Sequence, residues 1–388
     1  MKENGWFRSI FCAVLTVAAA SVLILRSSEA AAGARYGLSL CAGTVIPAVF
    51  PFMALCVFAC ESPAASFFSR LLSLPAKLFR LPGNCGGILL ASLIGGYPSA
   101  AKCAGDYYKS GLIGRETAER LLTFCVNAGP PFLLFAVGKA VFGSVRTGAF
   151  LWVSQLASSM VIGLLGALFA KRPEKAPDAC PFSGRGAASS ATHAVIAAAD
   201  ACFTMCAFIT AACALTELFD AGVLAGFFQK YPISRVLFDG LFEVTSGCTE
   251  AGRLGGAAGI LAAAGIASFS GISVILQVAG ILEGSGIRLG KFLLSRPLHG
   301  LLTAAFCGVL LRMFPEAVES AVSFDGVTEA AISASAPAAV SLLCMTALFL
   351  VAAVPERKLE KEPGKPVFVS FLAKYSKKRH GNPGRSLL

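Results

Sequence analysis

The chain has 388 residues, of which 56% are apolar and only 14% charged, and it carries a formal net charge of +11. A soluble domain of this size carries roughly a quarter charged residues, so water is excluded as the main solvent and the class is a helical membrane protein. The positive charge sits in a few clusters, which reads as a topology signal and not as a nucleic-acid-binding surface.

From Phe7 to Leu25 the chain is apolar beside Lys2 and Arg8. This fits either a first spanning helix or a signal peptide cut near Ser28 to Ala30, and the uncleaved helix is preferred because the run is longer than a signal needs. A second segment, 36–60, contains Pro47 and Pro51 and precedes the basic positions Arg70, Lys77 and Arg80, which the positive-inside rule places in the cytoplasm. Residues 86–101, GGILLASLIGGYPSAA, are apolar but too short to span, and Gly95, Gly96 and Pro98 interrupt them. They read as a broken or re-entrant helix. A charged amphipathic stretch, 102–120, leads to expected crossings at 121–142 and 150–170 and then to a basic linker.

The second half is expected to cross at 191–216, to carry another short interrupted piece at 236–252, and to cross again at 257–282 and 298–314. An acidic outer loop with Glu316, Glu319, Asp325 and Glu329 then precedes a last helix, 337–354, and a tail with nine Lys or Arg against three Glu. The expected organisation is an N-terminal helix (1–35), a first repeat (36–170), a linker (171–190), a second repeat (191–314), an outer loop with the last helix (315–354) and a cytoplasmic tail (355–388). The loop charges predict eight crossings in the inner membrane with both termini cytoplasmic. The halves share one plan in opposite orientation, an all-α inverted repeat, and CVNAGPPFLLFAVG (125–138) overlays ASFSGISVILQVAG (267–280) with Gly129 on Gly271.

Breaks at membrane depth are tolerated where the freed backbone groups meet protein, water or a ligand, and half-helix N-termini favour an anionic or strongly hydrogen-bonding solute. The candidate solute-binding residues are Gly95, Gly96, Tyr97, Pro98, Ser99, Lys102, Asn127, Gly129 and Pro130 in the first half. In the second half they are Thr245, Ser246, Gly247, Ser268, Ser270, Gly271 and Gln277, with Ser273 beside them. Glu243, Glu250 and Asp200 are candidates for proton or cation coupling, because carboxylates in apolar segments are costly unless paired, hydrated or protonated. The competing reading places Glu243 and Glu250 in an outer loop, with Arg253 pairing Glu250, and makes GGYP a tight cytoplasmic turn. His193 is read as an interfacial residue near a helix start. Fourteen scattered cysteines form no CxxC pair, no metal or cofactor motif is present, and no catalytic signature such as GxSxG or HExxH occurs, so no enzyme is expected.

The run LIGGYPSAAK, followed by SGLIGRETAERLLTFCVNAGPPFL, resembles the YlbJ-like sporulation integral membrane proteins of endospore-forming bacteria. EVTSGCTEAGRL and ASFSGISVILQ extend the similarity over residues 36–354. That family carries the nucleoside-recognition, or Gate, domain. The resemblance implies a transporter of a small anion, dipicolinic acid, in the outer forespore membrane, with no cofactor. Two alternatives remain at this point: a membrane scaffold for spore-envelope proteins that uses the basic tail, associating with itself or with other spore membrane proteins, and a nucleoside transporter.

Overall fold

A computed structural model describes residues 3–62, 64–170, 187–220 and 224–316. Among the described residues the chain is helical throughout, with no strand. The expected last helix at 337–354, the acidic loop beyond Glu316, most of the linker and the basic tail lie outside them.

The helices, in order, are α1 (Glu3–Leu25), α2 (Ser27–Leu40), α3 (Ile46–Glu61), α4 (Ala64–Leu71), α5 (Ser73–Leu78), α6 (Gly86–Ile94), α7 (Gly96–Lys109), α8 (Arg115–Cys125), α9 (Val145–Leu168), α10 (Ala187–Asp220), α11 (Ala225–Lys230), α12 (Pro232–Phe242), α13 (Val244–Leu254), α14 (Gly256–Phe269), α15 (Gly271–Ile281) and α16 (Gly290–Met313). Among the described residues five stretches are long and apolar enough to cross a membrane: Ser27–Glu61, Val145–Leu168, Ser189–Phe219, Gly256–Ile281 and Gly290–Met313. Shorter apolar helices occur at Ser9–Leu25 and Gly83–Ile94. The chain is thus an integral membrane protein of helical class.

Several boundaries differ from the sequence reading. The second segment begins earlier, at Ser27, and α2 runs into α3 through a π-helical turn, Cys41–Val45. That turn precedes Pro47, whose missing N–H cannot enter the ladder. The expected crossing at 121–142 is not one helix: α8 ends at Cys125, residues 126–129 have no helical structure, and a π-helical stretch, Phe132–Lys139, follows. Pro130 and Pro131 supply no N–H to bridge the gap. The expected crossing at 257–282 is likewise interrupted, because Ser270 and Gly271 adopt φ of 79° and 59° and stop α14 before α15 starts. Four helices are therefore broken where the sequence reading marks two.

Helix contact without a hydrophobic driving force depends on small residues that let backbones approach. On α2, Gly33 and Gly37 lie one turn apart, and a Cβ at Gly33 would fall 2.4 Å from the Cys213 carbonyl oxygen on α10. The π-helical stretch approaches α9 by the same device. A Cβ on Gly148 would stand 2.4 Å from the Leu133 carbonyl oxygen. These approaches draw the long helices around the broken ones and leave large apolar side chains such as Phe203, Leu294 and Leu301 on the outside, toward lipid.

Candidate functional site

The four breaks meet in pairs. Gly96 ends the α6–α7 break with φ of 77°, a conformation open to glycine at little cost. It faces the second break: a Cβ on Gly129 would lie 3.2 Å from both the Gly96 nitrogen and the Ile94 carbonyl oxygen. In the second half the α14–α15 break lies against the α12–α13 break, since a Cβ on Gly271 would lie 3.2 Å from the Gly240 oxygen and 3.5 Å from the Glu243 nitrogen. Tyr97, buried, donates its hydroxyl to the Ala267 carbonyl at 2.5 Å and ties the first pair to the second.

A small inner cavity of about 30 Å³ lies at this junction. Its wall includes Gly96, Tyr97 and Pro98 from the start of α7, Pro131 and Phe132 from the start of the π-helical stretch, and Val244 and Thr245 from the start of α13. Three half-helix N-termini thus border one space, where their unpaired N–H groups and dipoles favour negative charge or hydrogen-bond acceptors. Glu243 occupies part of that field. Its side chain is 2% exposed, accepts from the Ser246 amide at 2.7 Å and from the Thr245 hydroxyl at 3.1 Å, and so caps α13. Among the lining residues of this cavity there is no Lys, Arg or His.

A larger cavity of about 300 Å³ adjoins it, sharing Met53, Pro98 and Gln277 as wall. Its ionisable side chains are Glu61, Lys102, Asp106, His193 and Asp200. Glu61, at the end of α3, is buried, with Oε2 at 2.5 Å from His193 Nδ1 and Oε1 at 4.0 Å from Lys102 Nζ.

Behind the first break lies a buried polar network. Asn127 donates to Ser92 Oγ at 3.1 Å and to the Phe124 carbonyl at 2.9 Å, and accepts from Ser159 Oγ at 3.1 Å. Since Ser159 spends its proton on Asn127, His299 Nε2, 3.1 Å away, is the donor to Ser159 Oγ. Gln155 reaches across from α9 and pairs with both backbone groups of Ala128, donating to its carbonyl at 2.9 Å and accepting from its amide at 3.2 Å. It replaces the helical bonds that this non-helical segment lacks. The hydroxyls of Thr303 and Ser268 continue the network, 2.8 Å apart.

Arg296 completes the support. It is fully buried, and its guanidinium donates to the carbonyls of Thr123 and Val126 at the end of α8 and to the Ser268 carbonyl at the end of α14. Two half-helix C-termini, each with orphan carbonyls and partial negative charge, share one cation. In the sequence Arg296 stands with Arg288 and Lys291 between the expected crossings at 257–282 and 298–314. It lies instead inside α16, packed between the broken helices.

The sequence-predicted residues separate into groups. Gly95, Gly96, Tyr97, Pro98, Gly129, Thr245, Glu243 and Gln277 line the inner cavity. Ser99, Lys102, Asp200 and again Gln277 line the larger one. Asn127 and Ser268 belong to the network behind the breaks and line neither cavity, while Pro130, Ser270 and Gly271 shape the breaks themselves. Ser246 and Gly247 serve α13: the Ser246 amide is capped, and the missing Cβ of Gly247 admits the Gly240 backbone of α12. Glu250 lies apart, paired with Arg253 on a surface hollow that also contains Arg235. Sequence reading missed Glu61, Gln155, Ser159, Arg296, His299 and Thr303. The signal available for most of these was polar residues at helical spacing in apolar runs, SQLASS at 154–159 and RPLHGLLT at 296–303.

No protein-family model matches the chain, and no solved structure matches it. Over 142 residues the chain is 27% identical to the sporulation integral membrane protein YlbJ of Bacillus subtilis (strain 168), a match covering 36% of this chain and 35% of that protein. The matched region therefore spans about a third of the relative's length. What fold and comparison jointly establish is an all-helical integral membrane protein with partial sequence similarity to that sporulation protein.

Proposed function

We propose that the chain is a secondary transporter of a small anion, working by alternating access of two inverted repeats about the paired broken helices. One observation carries the reading: three half-helix N-termini border a single buried cavity. Backbone without helical bonding at membrane depth is expected where it lines a solute path. The two breaks that the overlay of Gly129 on Gly271 pairs, at 126–129 and at 270–271, fall at matching points of the two halves. The partial similarity to a sporulation integral membrane protein supports a role in sporulation. In that setting dipicolinate, a compact aromatic dicarboxylate, is the solute proposed, carried across the outer forespore membrane with both termini of the protein in the cytoplasm. Glu243, inside the anion-favouring field, is the proposed coupling group.

A second reading, nucleoside transport, draws support from the acidic and amide groups of the inner cavity, Glu243 and Gln277, and from Lys102 standing beside Glu61 and outside that cavity. Uptake of radiolabelled dipicolinate into liposomes by the purified protein, with uridine as competitor, separates the two. Saturable uptake that uridine leaves unchanged and that Glu243→Gln alters supports the anion transporter. Displacement by uridine supports the nucleoside reading, and no uptake of either solute by folded protein sinks both and returns weight to a scaffold.

A further inference from the structure

We propose that the larger cavity is a binding site for a small organic ammonium ion. Three carboxylates, Glu61, Asp106 and Asp200, share its wall with one ammonium, Lys102, and one imidazole, His193. With the carboxylates ionised, the cavity holds excess negative charge beside apolar helices, where charge without a counter-ion is costly. Lys102 and His193 stand at Glu61 and, with Lys109, also attract Asp106 on α7, while Asp200 on α10 lines the same wall and among the described residues makes no ion pair.

A second observation points the same way. Gln277 on α15 is 5% exposed and lines the cavity, and among the described residues its carboxamide makes no hydrogen bond to protein. A buried amide left without a protein partner marks a place where a ligand or water supplies one. Its oxygen suits an N–H donor. The space of about 300 Å³ equals roughly ten water volumes at about 30 Å³ each, far more than a bare ion fills. Among the described residues no group of three or more His, Cys, Asp or Glu side chains is arranged to hold a metal ion. An organic cation with several N–H donors therefore fits where a metal does not. The ammonium of Lys102, at 4.0 Å from Glu61, already displays this kind of contact at one edge.

This site goes beyond the transporter reading and stands or falls without it, because binding is measured with no membrane gradient. The probe is radiolabelled putrescine, equilibrated with purified full-length protein in detergent at constant ionic strength. Saturable binding is expected, weakened by about tenfold or more, the loss of at least one charge contact, in the Asp106→Asn, Asp200→Asn double variant. Neither position is buried, so the double variant is expected to fold, and Gln277→Leu provides a second, uncharged test with a smaller loss. Absence of saturable binding to monodisperse protein, or equal binding in all three proteins, overturns the proposal. Displacement by sodium ion at the same concentrations as by unlabelled putrescine overturns the ammonium assignment in favour of a metal cation.

Discussion

Arg296 shows how one side chain changes meaning between sequence and fold. Beside Arg288 and Lys291 it reads as one of a group of topology-setting charges, yet it is buried and spans the carbonyl ends of α8 and α14. Hydrogen bonds from an ionised donor are about twice as strong as neutral ones, and here they satisfy groups that have no helical partner. Arg296→Met is expected to lower stability by about 3 kcal/mol or more, since several carbonyls lose their donor together. Thermal unfolding in detergent measures this. Arg296→Lys should recover little of the loss, because a single ammonium cannot spread over carbonyls on two elements as a planar guanidinium does. Unchanged melting in both variants would remove the capping role.

At the scale of the elements, stability and geometry turn on the contact between breaks. Gly129 and Gly96 bring the first two breaks within backbone distance, and the neighbours that a Cβ at Gly129 would meet are backbone atoms, which cannot rotate away. Gly129→Ala is therefore expected to force the α6–α7 break away from the second break and to cost about 1–3 kcal/mol, the range for overpacking. Melting temperature and solute uptake should fall together. A variant with wild-type melting would show that the two breaks are not held in register by this contact. Gly95, Gly96 and Pro98 made the first break legible in the sequence, whereas the second, before Pro130 and Pro131, was read as part of a continuous crossing. The interruption at Ser270 was not legible either, because a serine at φ of 79° leaves no compositional mark.

For the whole molecule, the ends of the bundle need fastening as well as its centre. Glu119 on α8 accepts from the Arg115 side chain at 3.0 Å and the Arg288 amide at 3.3 Å, and stands 3.4 Å from Lys291 Nζ, which joins α8 to the start of α16. Burial alone would raise its pKa, but the bonds from Arg288, Arg115 and Lys291 outweigh that and hold the carboxyl below its usual value. A carboxyl lowered in the folded state contributes stability that is full above its unfolded pKa and is lost as the pH falls through the folded one. Glu119→Gln should accordingly melt lower than wild type at neutral pH, and the gap should close on acidification below the ordinary glutamate range of about 4.3. A gap that persists unchanged at low pH would assign the effect to packing instead of charge.

Sequence alone determined the solvent, the helical class and the place where glycine and proline forbid a continuous helix at 95–98. These follow from composition, run length and backbone chemistry, which are local. It also brought forward eight residues that line the inner cavity, because small and polar residues in short apolar runs have few other uses. Only the tertiary structure decided that the breaks meet in pairs, that Asn127 bonds to Ser92 on α6 and Ser159 on α9 and does not line the cavity, and that Glu243 is buried while Glu250 pairs with Arg253 outside. It also decided that Glu61, far from either motif, anchors the charged wall. The physical reason is common to all of these. A helix sequence fixes the faces a segment presents, but which face meets a cavity, a neighbour or lipid depends on packing between segments that lie far apart along the chain.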